Sequence, residues 1–192
     1  EMLDLPDLKS IYNYIATSLQ KHLPDTVILF NSVDEENKIV QLETISGIEN
    51  KFLKQIMKLA GFNPVGKKFK LIGTHDNYFR SGKFVEFQGN LATFSASDIS
   101  PVLARTFEKL IGLHKIYTIG IKKDIHLLAA IHFFTFNKKV IYDCHFIETF
   151  VKQAGIVIQK KMAEKALVES EEKYRNIFEN IQDVYYEALI DG

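Results

Sequence analysis

Asp143, Cys144 and His145 stand side by side, a carboxylate, a thiol and an imidazole, the three groups from which a thiol nucleophile and its base are built. The pattern after Asp143 is helical, and neighbours on a helix project about 100° apart. Cys144 and His145 are therefore not expected to face one another. A helix start does lower a thiol's pKa, so a redox or covalent-cofactor role for Cys144 stands beside that of a small packed thiol. Cys144 is the single cysteine, which excludes an internal disulfide and a CxxC metal knuckle and suits a reducing compartment. The basic run Gly66–Lys70, GKKFK, reads as an anion attractor or a solvated loop. No glycine-rich phosphate loop, ATP-binding box or phosphoacceptor box is recognisable.

The elements that must position these groups follow from composition and period. The 192 residues suggest one domain and a surplus. Lys+Arg and Asp+Glu balance at 24 each, which removes the basic field that nucleic-acid binding needs. No apolar run approaches the roughly 20 residues that cross a bilayer, and EMLDLPDLKS lacks the plan of a signal peptide. The expected setting is cytoplasmic. The chain opens on Glu1 rather than a start methionine, so it is expected to be a segment of a longer protein.

From Leu8, the residues Ile11, Tyr12, Ile15, Leu19 and Leu23 recur at helical spacing until Pro24. Two β-rich runs, Thr26–Val33 and Lys38–Ile45, flank the polar turn Asp34–Asn37 and predict a hairpin. Ile48–Ala60 predicts a helix through Phe52, Ile56 and Leu59, with Gly61 as its cap. Phe62–Gly89 carries four glycines without a clear period and reads as irregular connection with short strands or turns. Ser100 as N-cap and Pro101 at the first position open a further helix, with Leu103, Phe107 and Leu110 on one face and Gly112 past its end. Lys115–Ile121 and His126–Phe136 predict a second hairpin, its second strand apolar on both faces and so covered on both sides. Asp143 then caps a long helix through Ile147, Phe150, Val151, Ala154, Ile158 and Met162. Beyond it, Ala163, Ala166, Leu167 and Ser170 form a seam that either pairs with a second copy or belongs to a solvated single helix.

Helix, hairpin, helix, variable middle, helix, hairpin and exit helix is an order that resembles a GAF domain, from about Leu8 to Lys161. The stretches that carry the likeness are TVILFNSVDEENKIVQLETISG, HKIYTIGIKKDIHLLAAIHFF and FIETFVKQAGIVIQKKMAEKAL. The close, ALVESEEKYRNIFENIQDVYYEALIDG, resembles the entry helix and first strand of a PAS domain, the strand falling at Asp183–Ile190. The expected organisation is thus a tail at 1–7, a GAF-like domain at 8–161, a linker helix at 162–170 and the start of a PAS domain at 171–192.

The resemblance implies an α+β fold: one antiparallel sheet with the first and last helices together on one face. It implies the non-enzymatic sensory part of a signal-transduction protein, such as a two-component sensor histidine kinase. Such a part binds a small molecule, forms a homodimer through its terminal helices and passes the signal to downstream PAS and kinase-type domains. The family's usual ligand site lies between the sheet and the middle segment, where Phe84, Phe87, Phe94 and Tyr117 would line it and His132 would supply a polar group. Haem is a further option, with Cys144 or His114, His126, His132 and His145 as ligands. The bilin-binding Cys-His pair does not carry over, because Cys144 follows the last strands. The multi-cysteine sulfoxide-reductase chemistry needs more than one thiol. The cyclic-nucleotide motif is out of order here, with Asp34 and Glu35 ahead of Asn50–Phe52. A structural dimerisation module with a filled pocket completes the alternatives.

Overall fold

The computed structural model describes residues 1–47, 63–71, 76–95, 100–136, 140–141 and 143–190. The helix expected at 48–60 with its glycine cap lies outside them. After a 3-10 turn at Met2–Asp4, helix α1 spans Leu8–His22 and is capped by Asp7, whose Oδ1 accepts the Ser10 N–H at 2.7 Å. Its buried stripe is Ile11, Tyr12, Ile15, Ala16 and Leu19. Strands β1 (Thr26–Asp34) and β2 (Ile39–Ser46) form the first hairpin, its turn fixed by Asp34 Oδ1 accepting the Asn37 N–H at 3.0 Å. Strands β5 (Leu113–Lys123) and β6 (His126–Phe136) form the second hairpin.

Antiparallel pairing of β1 with β6 joins the two hairpins into one sheet. Short strands β3 (Lys68–Lys70) and β4 (Val85–Glu86) complete it in the order β3-β2-β1-β6-β5-β4. The middle of the chain also supplies α2 (Asp76–Arg80) and α3 (Leu91–Phe94). Helix α4 spans Pro101–Ile111, with the Ser100 side chain accepting from Leu103 N–H and Gly112 in the left-handed region at φ 64. There α4 departs from expectation. Ala104 and Phe107 are buried, whereas Leu103 and Leu110 are 47% and 62% exposed. The helix turns Ala104 and Phe107 to the domain, while Leu103 and Leu110 face outward.

Strand alternation divides the core. One face of the sheet carries Ile28, Phe30, Ile119, Ile131 and Phe133, packed with the α1 stripe and with Ile147, Val151, Ala154 and Ile158 of helix α5 (Cys144–Ile190). The first and last long helices thus share one layer. The other face carries Val27, Ile116 and Phe134, covered by Phe87, Leu91, Ala104 and Phe107, and beside them Ala130 and Leu127 lie with Phe79.

Helix α5 runs on without a break across positions 161/162 and 170/171, and residues 162–180 are all exposed. The strand expected at Asp183–Ile190 is helical instead. A strand needs neighbours to satisfy its backbone, whereas a helix bonds its own N–H and C=O groups internally. Among the described residues no helix is long and apolar enough to cross a membrane.

Within the helical layer, Tyr12 stacks on Phe30 with centroids 4.5 Å apart. Burial, aided by the Glu43 carboxylate, pushes its hydroxyl up to about 12. A raised pKa stabilises the fold below the ordinary tyrosine value of about 10 and loses that stabilisation as pH rises towards 12. Alkaline denaturation of the wild type should therefore steepen over that window, by about 2–3 kcal/mol in all. Tyr12→Phe should flatten this limb in urea titrations run at successive pH values, and an unchanged limb would refute the assignment.

Candidate functional site

His132 lies mid-strand on β6, 2% exposed, on the face opposite α1 and α5. Its cross-strand partner on β5 is Thr118, whose Oγ1 stands 3.0 Å from His132 Nδ1. Phe94 meets the imidazole edge-on at 4.8 Å between centroids, and Phe79 approaches it at 5.4 Å. Phe94 in turn packs edge-on against Phe87 and Phe134, and Tyr78 meets Phe87 at 5.2 Å. The result is a buried imidazole–hydroxyl pair walled by aromatic rings. The arrangement sets one hydrogen-bonded polar pair within an apolar aromatic wall.

Local chemistry explains the walls. Asn90 caps α3, its Oδ1 accepting the Thr93 N–H at 2.9 Å, and this aims Phe94 at the sheet. Helix α2 is anchored by Arg80, whose Nη2 pairs with Glu35 Oε1 at 2.7 Å and whose Nη1 donates to Ile125 O at 2.9 Å. Glu35 also holds His126 Nδ1 at 3.0 Å. Burial pushes the Glu35 carboxyl up, but the Leu127 N–H, His126 and Arg80 outweigh it and hold the group below its usual range.

Of the five residues expected to line a ligand site, Phe87, Phe94 and His132 come together. Phe84 and Tyr117 do not: they stack on each other at 5.1 Å on the opposite face, within the α1 and α5 layer. Tyr117 precedes Thr118 on β5, so alternation points it the other way. Phe79, Tyr78 and Thr118 are the members that sequence reasoning missed. The adjacent aromatic pair in the segment DNYFR was the available signal.

A separate cleft of about 330 Å³ opens at the sheet edge between Glu86–Asn90, Glu108 and Leu113–Ile116. Its charges are engaged: Lys115 Nζ pairs with Glu86 at 2.6 Å, and Glu108 Oε1 accepts the Leu91 N–H at 2.6 Å. In the GKKFK run, Lys67 lies over the Phe69 ring at 5.1 Å. Cys144 is exposed in the first turn of α5, where Asp143 Oδ1 accepts the Phe146 N–H at 3.2 Å. The histidines offered as haem ligands are dispersed. His132 is enclosed, His126 pairs with Glu35 at a hairpin turn, His114 lines the edge cleft, and His145 is exposed beside Cys144. These donors are not gathered around one site. Among the described residues no group of three His, Cys, Asp or Glu side chains could hold a metal ion.

No family model and no curated protein matches the sequence. Solved structures do resemble the fold. The GAF domain of a phosphoenolpyruvate-protein phosphotransferase from Coxiella burnetii is 17% identical over 86% of this chain and 90% of its own, with a TM-score of 0.59. A GAF domain/HD domain protein from Geobacter sulfurreducens is 14% identical over 85% and 99%, with a TM-score of 0.56. A domain of a two-component sensor histidine kinase protein from Sinorhizobium meliloti is 13% identical over 84% and 97%, with a TM-score of 0.52. Element order, a six-stranded antiparallel sheet between helical layers, and these neighbours together give the chain the fold of a GAF domain.

Proposed function

We propose that this chain is the non-catalytic sensory segment of a cytoplasmic signal-transduction protein, with a sensor histidine kinase as the parent. The observation that carries the reading is the division of labour between the two sheet faces. A buried His132–Thr118 pair walled by Phe79, Phe87 and Phe94 occupies one face, and the helix that leaves the domain packs on the other. A small, largely apolar molecule with one hydrogen-bonding group suits the aromatic face. Its binding changes how α5 packs and so shifts a balance between two arrangements of the exit helices. The stretch EEKYRNIFEN is then the entry helix of a PAS domain in the parent chain, and α5 pairs with α5 of a second copy.

Thermal melting across a panel of small apolar alcohols, ketones and heterocycles tests the reading. At a ligand concentration 100 times Kd the fold gains about 2.7 kcal/mol, a rise of roughly 5–10 °C for a chain of this size. The shift should survive Cys144→Ser and vanish in His132→Leu. A shift lost in Cys144→Ser would move sensing to the exposed thiol, and a Soret band in the purified protein would move it to haem. No shift with any compound would favour a purely structural module.

A further inference from the structure

The segment from Phe79 to Phe87 does not stay on one side of the sheet. At its start, Phe79 lies with Ala130 and Leu127 and faces His132. The chain then passes β5 beyond the two residues that β4 covers, with Gly82 beside the Lys122 side chain and the Arg80 carbonyl accepting from Lys122 Nζ at 2.5 Å. Phe84 arrives on the opposite face, stacked on Tyr117 and edge-on to Phe133 at 5.1 Å. Phe87 is still bonded to β5, its N–H to Ile116 O at 2.8 Å, and strand alternation returns its side chain to the first face.

Where this strap crosses, α5 holds it. Glu148 Oε1 accepts the Phe84 N–H at 2.9 Å, and Glu148 Oε2 stands 3.7 Å from Lys83 Nζ. Lys122, which grips the Arg80 carbonyl, offers its own carbonyl to Gln159 Nε2 of α5 at 3.0 Å. One stretch of backbone therefore touches the His132 wall at one end and is fastened to the exit helix a few residues later.

We propose that the Phe79–Phe84 strap carries a displacement at the His132 face to the exit helix, with Glu148 as the positioning residue that clasps it. This rests on the sensory reading for its biological use. Its mechanical content is independent of any ligand. A backbone N–H held by a charged acceptor is a stiff attachment, and burial of Phe84 gives it no water to turn to instead. A shift of Phe79 must then either stretch the clasp or move α5.

A double-mutant cycle on unfolding equilibria tests the strap. Changes at unlinked sites multiply, because their free energies add. Phe79→Leu and Glu148→Ala, on opposite faces of the sheet, should depart from multiplication by at least fivefold. Leu29→Ala is the control, since Leu29 faces His132 from β1 and lies off the strap. Paired with Glu148→Ala it should multiply to within twofold. Glu148→Gln keeps an acceptor for the Phe84 N–H and loses the Lys83 pair. It should give an intermediate coupling, and it serves in place of alanine should that variant not fold. Multiplication to within twofold for Phe79 with Glu148, or equal coupling for Leu29, overturns the proposal. Because no ligand enters, coupling without any ligand-dependent melting shift would uphold the strap while the sensory reading falls, and a ligand shift without coupling would do the reverse.

Discussion

Gly120→Ala is expected to lower stability by about 2–3 kcal/mol, where an alanine in an unstrained position would be neutral or mildly stabilising. Gly120 pairs with Ala130 across β5 and β6, and these two small residues form a trough into which α2 settles. A Cβ on Gly120 would overlap the carbonyl oxygen of Phe79 and lie 2.8 Å from Leu127 Cδ1. The first of these neighbours is backbone and cannot rotate aside, so α2 must lift. Lifting it draws Phe79 away from His132 and strains the Arg80–Glu35 pair. The melting temperature should fall by roughly 5–10 °C, and proteolytic nicking within residues 76–84 should accelerate. Unchanged or increased stability would mean that α2 does not sit against β5 as described.

The elements that were legible in the sequence are those set by local chemistry. Ser100 and Asp143 accept the first-turn N–H groups of α4 and α5, and Gly112 closes α4. Both hairpins follow from β-rich runs around polar turns. The site was only partly legible, because its membership depends on register. Around the β5–β6 turn, Lys123 pairs with His126 and Lys122 with Leu127, a register that, continued regularly, would set Tyr117 opposite His132. A bulge between Ile121 and Lys122 shifts the pairing by one, so Thr118 takes that place. Tyr117 is thereby left to the helical layer. Phe84 was misplaced for a different reason: it lies three residues before Phe87 across the short edge strand β4, so alternation sends the two rings to opposite faces. The orientation of α4 is likewise a tertiary choice, since Leu103 and Leu110 have the right spacing for a buried face but sit on its exposed flank.

If α5 pairs with α5 of a second copy, as proposed, charging the exposed seam of α5 is expected to convert that dimer to monomer. The helix has 47 residues, roughly 70 Å at 1.5 Å per residue, and everything from 162 to 180 is exposed. Ile156, Ala163, Leu167, Ser170, Tyr174 and Ile177 recur at alternating steps of three and four once Lys160 is included, the spacing of a two-stranded coiled coil. Ile156 and Leu167 are 63% and 61% exposed, a poor state for a long free-standing helix and a normal one for half of a helix pair. Leu167→Glu with Ile177→Glu places two carboxylates per chain against their symmetry mates, which should weaken dimerisation at least 100-fold, about 2.8 kcal/mol. Lys160→Leu should act in the opposite sense, because a lysine inside such a seam costs stability. Sedimentation equilibrium across 1–100 μM, roughly −8 to −5 kcal/mol on the affinity scale, separates these outcomes. Because Leu167 and Ile177 are exposed and outside the domain's packed clusters, the melting of the sheet and its helices should stay where it was in both variants. A wild type that sediments as a monomer throughout, or a doubly charged variant that remains dimeric, would place the partner of this helix elsewhere than on a second copy of itself.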